Sequence, residues 1–184
     1  MIHTIKKQVV FCLFILALSN SYLFGQETFK LGEGSRIWVE GTSTLRDWKA
    51  EVGTFSGTVT TDADGEVAEV NLSMDVKTMD GGRGPDMNAK IYKAMLADQH
   101  PQMTFTGKKA ASPEGDVGVY GTLNLAGVSK ALLVSAMGSV QSGHLTGEHK
   151  IKFSDFNIEP PSALFGQIVC HDDLVVKFEL NLVK

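Results

Sequence analysis

From residue 36 to the C-terminus the chain mostly alternates apolar and polar positions with the period of two that marks half-buried strands. "RIWVE" (36–40) opens the first strand and "VGTFSGTVTT" (52–61) follows with Phe55 and Val59 on one face. "EVNLSMDV" (69–76) is cleaner: Val70, Leu72, Met74 and Val76 face one way, while Glu69, Asn71, Ser73 and Asp75 face the other. Further strands are predicted at 101–109, 117–127, 130–138, 145–153 and 173–183, and the last carries one unbroken apolar face of Leu174, Val176, Phe178, Leu180 and Leu182. The pattern breaks once. In residues 86–97, Met87, Ile91 and Met95 recur every fourth position, the spacing of an amphipathic helix, before "PQMTFTG" restores the alternation.

About eight strands with short Gly, Asp, Ser or Pro connections, and no long helix to serve as a parallel crossover, imply an antiparallel all-β domain. "DADG" (62–65) is a turn with a mechanism, since Asp and Gly tolerate turn dihedrals. A final strand that reads as core and can pair with the first favours a closed barrel over a sandwich. Such a barrel is either filled by its own side chains or holds one apolar ligand. Methionines at 74, 79, 87, 95, 103 and 137, and glycines at 57, 107, 121 and 147 inside strands, are compatible with a cavity. They are equally compatible with a plain core, and the alternatives stay open at this level.

The first 25 residues read differently. Lys6 and Lys7 precede an apolar run from Val9 to Leu18, then Ser19, Asn20 and Ser21, the layout of a secretory signal peptide cleaved after Gly25 or Ser21. Cys12 follows Phe11, where a lipoprotein signal needs a small residue. The expected mature domain is 26–184, a single-domain length with no stable membrane span. The leader holds two of the 17 basic residues and none of the 21 acidic ones, so the mature chain is net acidic, and no basic stripe marks it as a nucleic-acid binder. Cys170 is then the one remaining cysteine and forms no internal disulfide; in "GQIVCH" it reads as a small buried hydrophobe.

No arrangement of residues reads as an active site. There is no GxSxG elbow, and Cys170 and His171 are strand neighbours that point to opposite faces. His144, His149 and "HDD" (171–173) offer metal-ligand types, but the spacing of five between the two histidines puts them on opposite faces, and no CxxC or HExxH occurs. "GGRGP" (81–85) lacks the Lys-Ser/Thr of a phosphate loop and reads as the entry to the helix, with Pro85 in its first turn. Neither a metal nor a cofactor is expected.

Four ordered stretches carry a resemblance: "GTSTLRDWKAEVGTFSGTV", "VNLSMDVKTMDGGRGPDMNAKIYKAMLADQHPQMTFTG", "VYGTLNLAGVSKALLV" and "IKFSDFNIEPPSALFGQIVCHDDLVVKFELNL". Together they resemble the YceI-like family of secreted or periplasmic polyisoprenoid-binding proteins over roughly residues 35–183. The resemblance implies an eight-stranded antiparallel lipocalin-like barrel with one short amphipathic helix flanking or capping it. It also implies a non-enzymatic protein that binds, sequesters or transports an isoprenoid lipid, either a polyprenyl chain or a quinone, in the envelope, and that can form a homodimer. The rival reading is a stress-response or interaction module with a self-filled barrel. By inward parity, the expected cavity residues are Phe55, Val70, Leu72, Met74, Met87, Ile91, Met95, Phe105, Leu123, Leu125, Val176, Phe178 and Leu180. Arg46, Asp47, Trp48 and Arg83 are expected at a polar head group. Two departures concern that end: Arg46 stands where many members have histidine, and "GGRGPDMN" replaces the commoner Arg-Asp-x-x-Leu wording.

Overall fold

The alternating segments close into an antiparallel barrel with eight positions around its wall, three of them occupied by a strand broken in two. The computed structural model describes residues 25–110 and 116–184, and the stretch read as a leader lies outside them through residue 24. β1 (Thr28–Leu31) and β2 (Arg36–Ser43) share one position, because both run beside β12 (Ile168–Val183): Leu31 pairs with Leu182, and Ile37 with Phe178. β3 (Trp48–Val52) pairs with β2, and its continuation β4 (Phe55–Thr61) pairs with β1. β5 (Val67–Asp75) pairs with β4, and the short β6 (Met79–Asp80) with β3. β7 (Gln102–Ala110), β8 (Val117–Leu125), β9 (Val128–Ser139) and β10 (His144–Lys152) complete the circuit back to β12. The final strand therefore closes on the first, as the sequence pattern predicts.

The breaks are where the sequence reading is corrected. "VGTFSGTVTT" reads as one strand, but Gly53 and Thr54 kink it. Ala50 and Val52 face inward before the kink, and Val59 faces inward after it, so the inward parity changes from even to odd. A Cβ on Gly53 would lie 2.7 Å from the Thr78 carbonyl, so glycine permits the close approach. The kinked backbone remains bonded: Gly53 N–H donates to Thr78 O (3.1 Å), Thr54 N–H to Thr78 Oγ1 (2.8 Å), and Asp75 N–H to Thr54 O (2.9 Å). β1, β6 and the two-residue β11 (Ser162–Ala163), hairpinned onto β12, are too short or too irregular for alternation to reveal.

The predicted helix is α1 (Pro85–Ala94), with Pro85 in its first turn and Gly84 at φ 83° as its N-cap, a left-handed conformation suited to glycine. Asn88 Oδ1 accepts the Gly81 N–H at 2.9 Å and ties the entry loop to the helix. α1 lies against β6 at one end of the barrel.

β9 and β10 pair over only three residues, His144–Thr146 against Ser139–Met137, and then separate. The turn Ser154–Phe156 lies against both strands and fills the gap with Phe153, Phe156 and Ile158, all buried. Asp172 holds that turn, accepting the Ser154 N–H (2.8 Å) and its hydroxyl (2.6 Å). The "DFNI" stretch is thus a wedge in the wall. Among the described residues, no helix is long and apolar enough to cross a membrane.

Candidate ligand-binding site

Several side chains that point into the barrel are only half-buried: Leu72, Leu123, Leu132, Val134, Val176 and Phe178. An inward side chain keeps accessible surface only if the space in front of it is open, and here it fronts a cavity of about 350 Å³. That volume is at the lower end of the roughly 300–1,000 Å³ of small-molecule sites. The cavity is long. Along β12 it is lined by Ile168, Cys170, Leu174, Val176, Phe178 and Leu180. Allowing for the bulge between Cys170 and Leu174, at about 3.3 Å per residue and a strand tilt near 40° that run spans roughly 25 Å along the axis. Such a shape suits a linear chain better than a compact molecule.

The lumen glycines have an unexpected part in this. A Cβ on Gly147 would lie 2.5 Å from the Phe178 ring, and one on Gly121 would lie 2.6 Å from the Phe105 ring. The glycines therefore add no void of their own. They let neighbouring rings lie flat against the wall, which keeps the centre clear.

Of the cavity residues expected from parity, Val70, Leu72, Met74, Met87, Ile91, Met95, Phe105, Leu123, Leu125, Val176, Phe178 and Leu180 line the lumen. Phe55 does not. It follows the Gly53–Thr54 kink directly, packs against the core, and borders an outer groove with Glu51 and Asp80. Met79 and Met103 also line the lumen, whereas Met137 faces out at 62% exposure. Residues missed from sequence include Ile37, Val39, Ala50, Leu132, Val134 and His149. "RIWV" and "ALLV" place apolar residues at both parities, so alternation gives no face there.

The mouth is formed by the β2–β3 loop, α1 and its entry loop, the end of β10 and the β11–β12 hairpin. Arg46, Lys49, Arg83, Lys90 and Lys152 border it, and among the described residues no carboxylate lines the cavity. Lys152 pairs with Asp173 (3.6 Å) and Lys49 with Glu51 (3.5 Å). Arg46, Arg83 and Lys90 have no ion-pair partner within 4 Å among the described residues. Trp48 also lines the mouth, but its Nε1–H already donates to Thr42 O (3.1 Å), and its ring stacks on Phe153 at 6.3 Å. It offers a ligand its ring face, not a hydrogen bond. Asp47 borders the outer groove instead of the cavity.

The sequence profile of the YceI-like domain family matches residues 32–182. The chain belongs to this family. A search of curated proteins finds no match. Among solved structures, Burkholderia cenocepacia BcnA is similar with a TM-score of 0.69 at 20% identity, covering 82% of this chain and 96% of that one. A polyisoprenoid binding domain from Saccharophagus degradans, implicated in plant cell wall breakdown, is similar with a TM-score of 0.63 at 17% identity, covering 86% and 98%. The Campylobacter jejuni YCEI protein is similar with a TM-score of 0.59 at 21% identity, covering 73% and 84%. At these identities the likeness is one of fold.

Within this YceI-like barrel, the histidines and the cysteine separate by face. His144 and His171 point outward, with Nδ1 atoms 2.9 Å from Asn181 Oδ1 and 2.7 Å from Thr42 Oγ1. His149 and Cys170 line the lumen. Among the described residues, no three His, Cys, Asp or Glu side chains converge as a metal site. Burial pushes the Cys170 thiol up, which keeps it protonated and unreactive.

Burial also pushes the His149 imidazole below its ordinary value, and among the described residues its side chain has no hydrogen-bond partner. The folded chain thus takes up the His149 proton at lower pH than the unfolded chain does. The contribution to stability is complete above the unfolded value of about 6.5, falls as pH drops below it, and levels off under the folded value. Urea unfolding of the wild type and His149→Leu, followed from neutral to acidic pH, checks this. The wild type is expected to lose more stability on acidification than the variant; equal slopes would sink the assignment.

Proposed function

We propose that the protein is a non-enzymatic carrier of an isoprenoid lipid, a polyprenyl chain or an isoprenoid quinone, working in the periplasm or outside the cell after removal of its leader. The observation that carries this reading is the open apolar lumen, whose inward side chains remain half-exposed along the barrel. Burying about ten prenyl carbons contributes about 8 kcal/mol, the scale of micromolar binding, before ordering costs. The isoprenoid class is supported by the likeness to the Saccharophagus degradans domain. The chain lies along the lumen, and its polar head sits at the mouth near Arg46, Arg83 and Lys90. A carrier of this kind needs no catalytic group, since the apolar wall itself supplies the driving force. A self-filled interaction module is the poorer reading, because its core would leave no such space.

The test is direct. The protein is secreted from a bacterial host, purified without detergent and extracted with organic solvent, and the extract is analysed by mass spectrometry. A stoichiometric prenyl lipid is expected. An empty extract, together with failure to bind added quinones or polyprenols, would overturn the reading.

A further inference from the structure

The end of the barrel that opens the lumen also presents large apolar side chains to solvent. Leu164 is 63% exposed, Leu45 is 60% exposed, and Phe165 is fully exposed. They occupy two loop tips held side by side. Thr44 N–H donates to Val169 O (3.0 Å), Val169 N–H to Thr44 Oγ1 (3.1 Å), and the Thr44 hydroxyl to Gln167 O (3.3 Å).

The backbone of the second tip is unusual for its residues. Leu164, Phe165 and Gly166 have φ of 50°, 57° and 85°, and the turn closes through Gly166 N–H to Ala163 O at 3.2 Å. Left-handed turns of this kind favour Asn-Gly, and a bulky residue there is an outlier that local conformation does not explain. Here two bulky apolar residues take the strained positions and point at water. Charge distribution supplies the second observation. Around the same mouth stand Arg46, Arg83 and Lys90, without ion-pair partners among the described residues, on a chain whose formal net charge is −4.

We infer that this end docks on a phospholipid bilayer bearing anionic head groups, with Leu45, Leu164 and Phe165 inserted at the interface and Arg46, Arg83 and Lys90 against the head groups. Apolar insertion flanked by cations is the pattern of interfacial anchoring, and it strengthens with anionic lipid. Two convex tips also do not supply the roughly 800 Å² per partner of a stable protein interface, whereas a fluid surface moulds to them. The inference rests on the carrier reading for its purpose: docking sets the lumen mouth against the membrane, so a lipid can transfer without crossing water.

Leu164→Asn combined with Phe165→Gly tests it, because neither residue lines the cavity and Asn-Gly suits the turn. The variant should melt at or above the wild-type temperature and keep its extractable lipid. Flotation with vesicles of phosphatidylethanolamine and phosphatidylglycerol should be at least about tenfold weaker than for wild type. Wild-type flotation should fall with added salt and on phosphatidylcholine alone. A wild type that does not float, or a variant that floats equally well, overturns the inference. Variant-sensitive self-association without vesicles overturns it too, assigning the tips to a second copy. Flotation of a protein whose extracts are empty and which binds no added quinone or polyprenol sinks the carrier reading and supports docking.

Discussion

Val176→Trp is expected to abolish ligand retention while leaving the barrel folded. Val176 points inward, pairs with His149 on β10 and Val39 on β2, and stays half-buried because its free surface faces the lumen. A larger side chain there grows into open space instead of into packed neighbours, which avoids the usual cost of overpacking. An indole in a narrow channel displaces about four ligand methylenes, and at about 0.8 kcal/mol each this removes about 3 kcal/mol, a factor of more than a hundred in affinity. Solvent extraction and titration with a polyprenol read the loss, and thermal unfolding reads the fold. Val175, one residue earlier, pairs with Glu40 and Lys150 on the outer face, so Val175→Trp should leave retention unchanged. Equal lipid content in Val176→Trp and wild type, both folded, would mean that the ligand lies elsewhere.

Phe156→Ala should be the most destabilising single truncation in the wall. Phe156 is 1% exposed and sits in the turn that fills the gap left where β9 and β10 part. No ladder hydrogen bonds cross that gap to share the load. Loss of a fully buried phenyl costs about 3–5 kcal/mol, against a total stability of about 5–15 kcal/mol for a domain. By contrast, the fork of Arg36 on Glu51, with bonds of 2.8 and 3.0 Å, lies on the exposed outer face, where solvent screens it. Its geometry is good, but the wedge outweighs it. Urea unfolding with an unchanged m-value checks the prediction; a loss below about 1 kcal/mol would show that the wall closes without the ring.

The candidate site was partly legible before the fold was known. Val70, Leu72 and Met74 alternate cleanly with polar residues, as do Leu123 with Leu125 and Val176 with Phe178, so their shared face follows from strand geometry alone. Met87, Ile91 and Met95 repeat at helical spacing, and that too is local. Phe55 is the exception: it shares the inward parity of Val59 and pairs with Met74, but as the first strand residue after the kink it packs against the core and borders the outer groove, and nothing in "VGTFSG" separates a kink from a continuing strand. His149 was seen to face away from His144, but which of the two enters the lumen depends on β10's pairing with β12.

Alternation, turn residues and one helical interruption therefore determined the class of the fold, the closure of its last strand on its first, and most of the inward face. These are consequences of how successive side chains leave a backbone. The tertiary structure decided what alternation cannot carry: the kinks that break three wall positions, the wedge between β9 and β10, the rings laid flat over Gly121 and Gly147, and the space that remains. Whether a barrel is full or hollow depends on how side chains from distant strands meet across it, and that distance is set by closure of the whole wall.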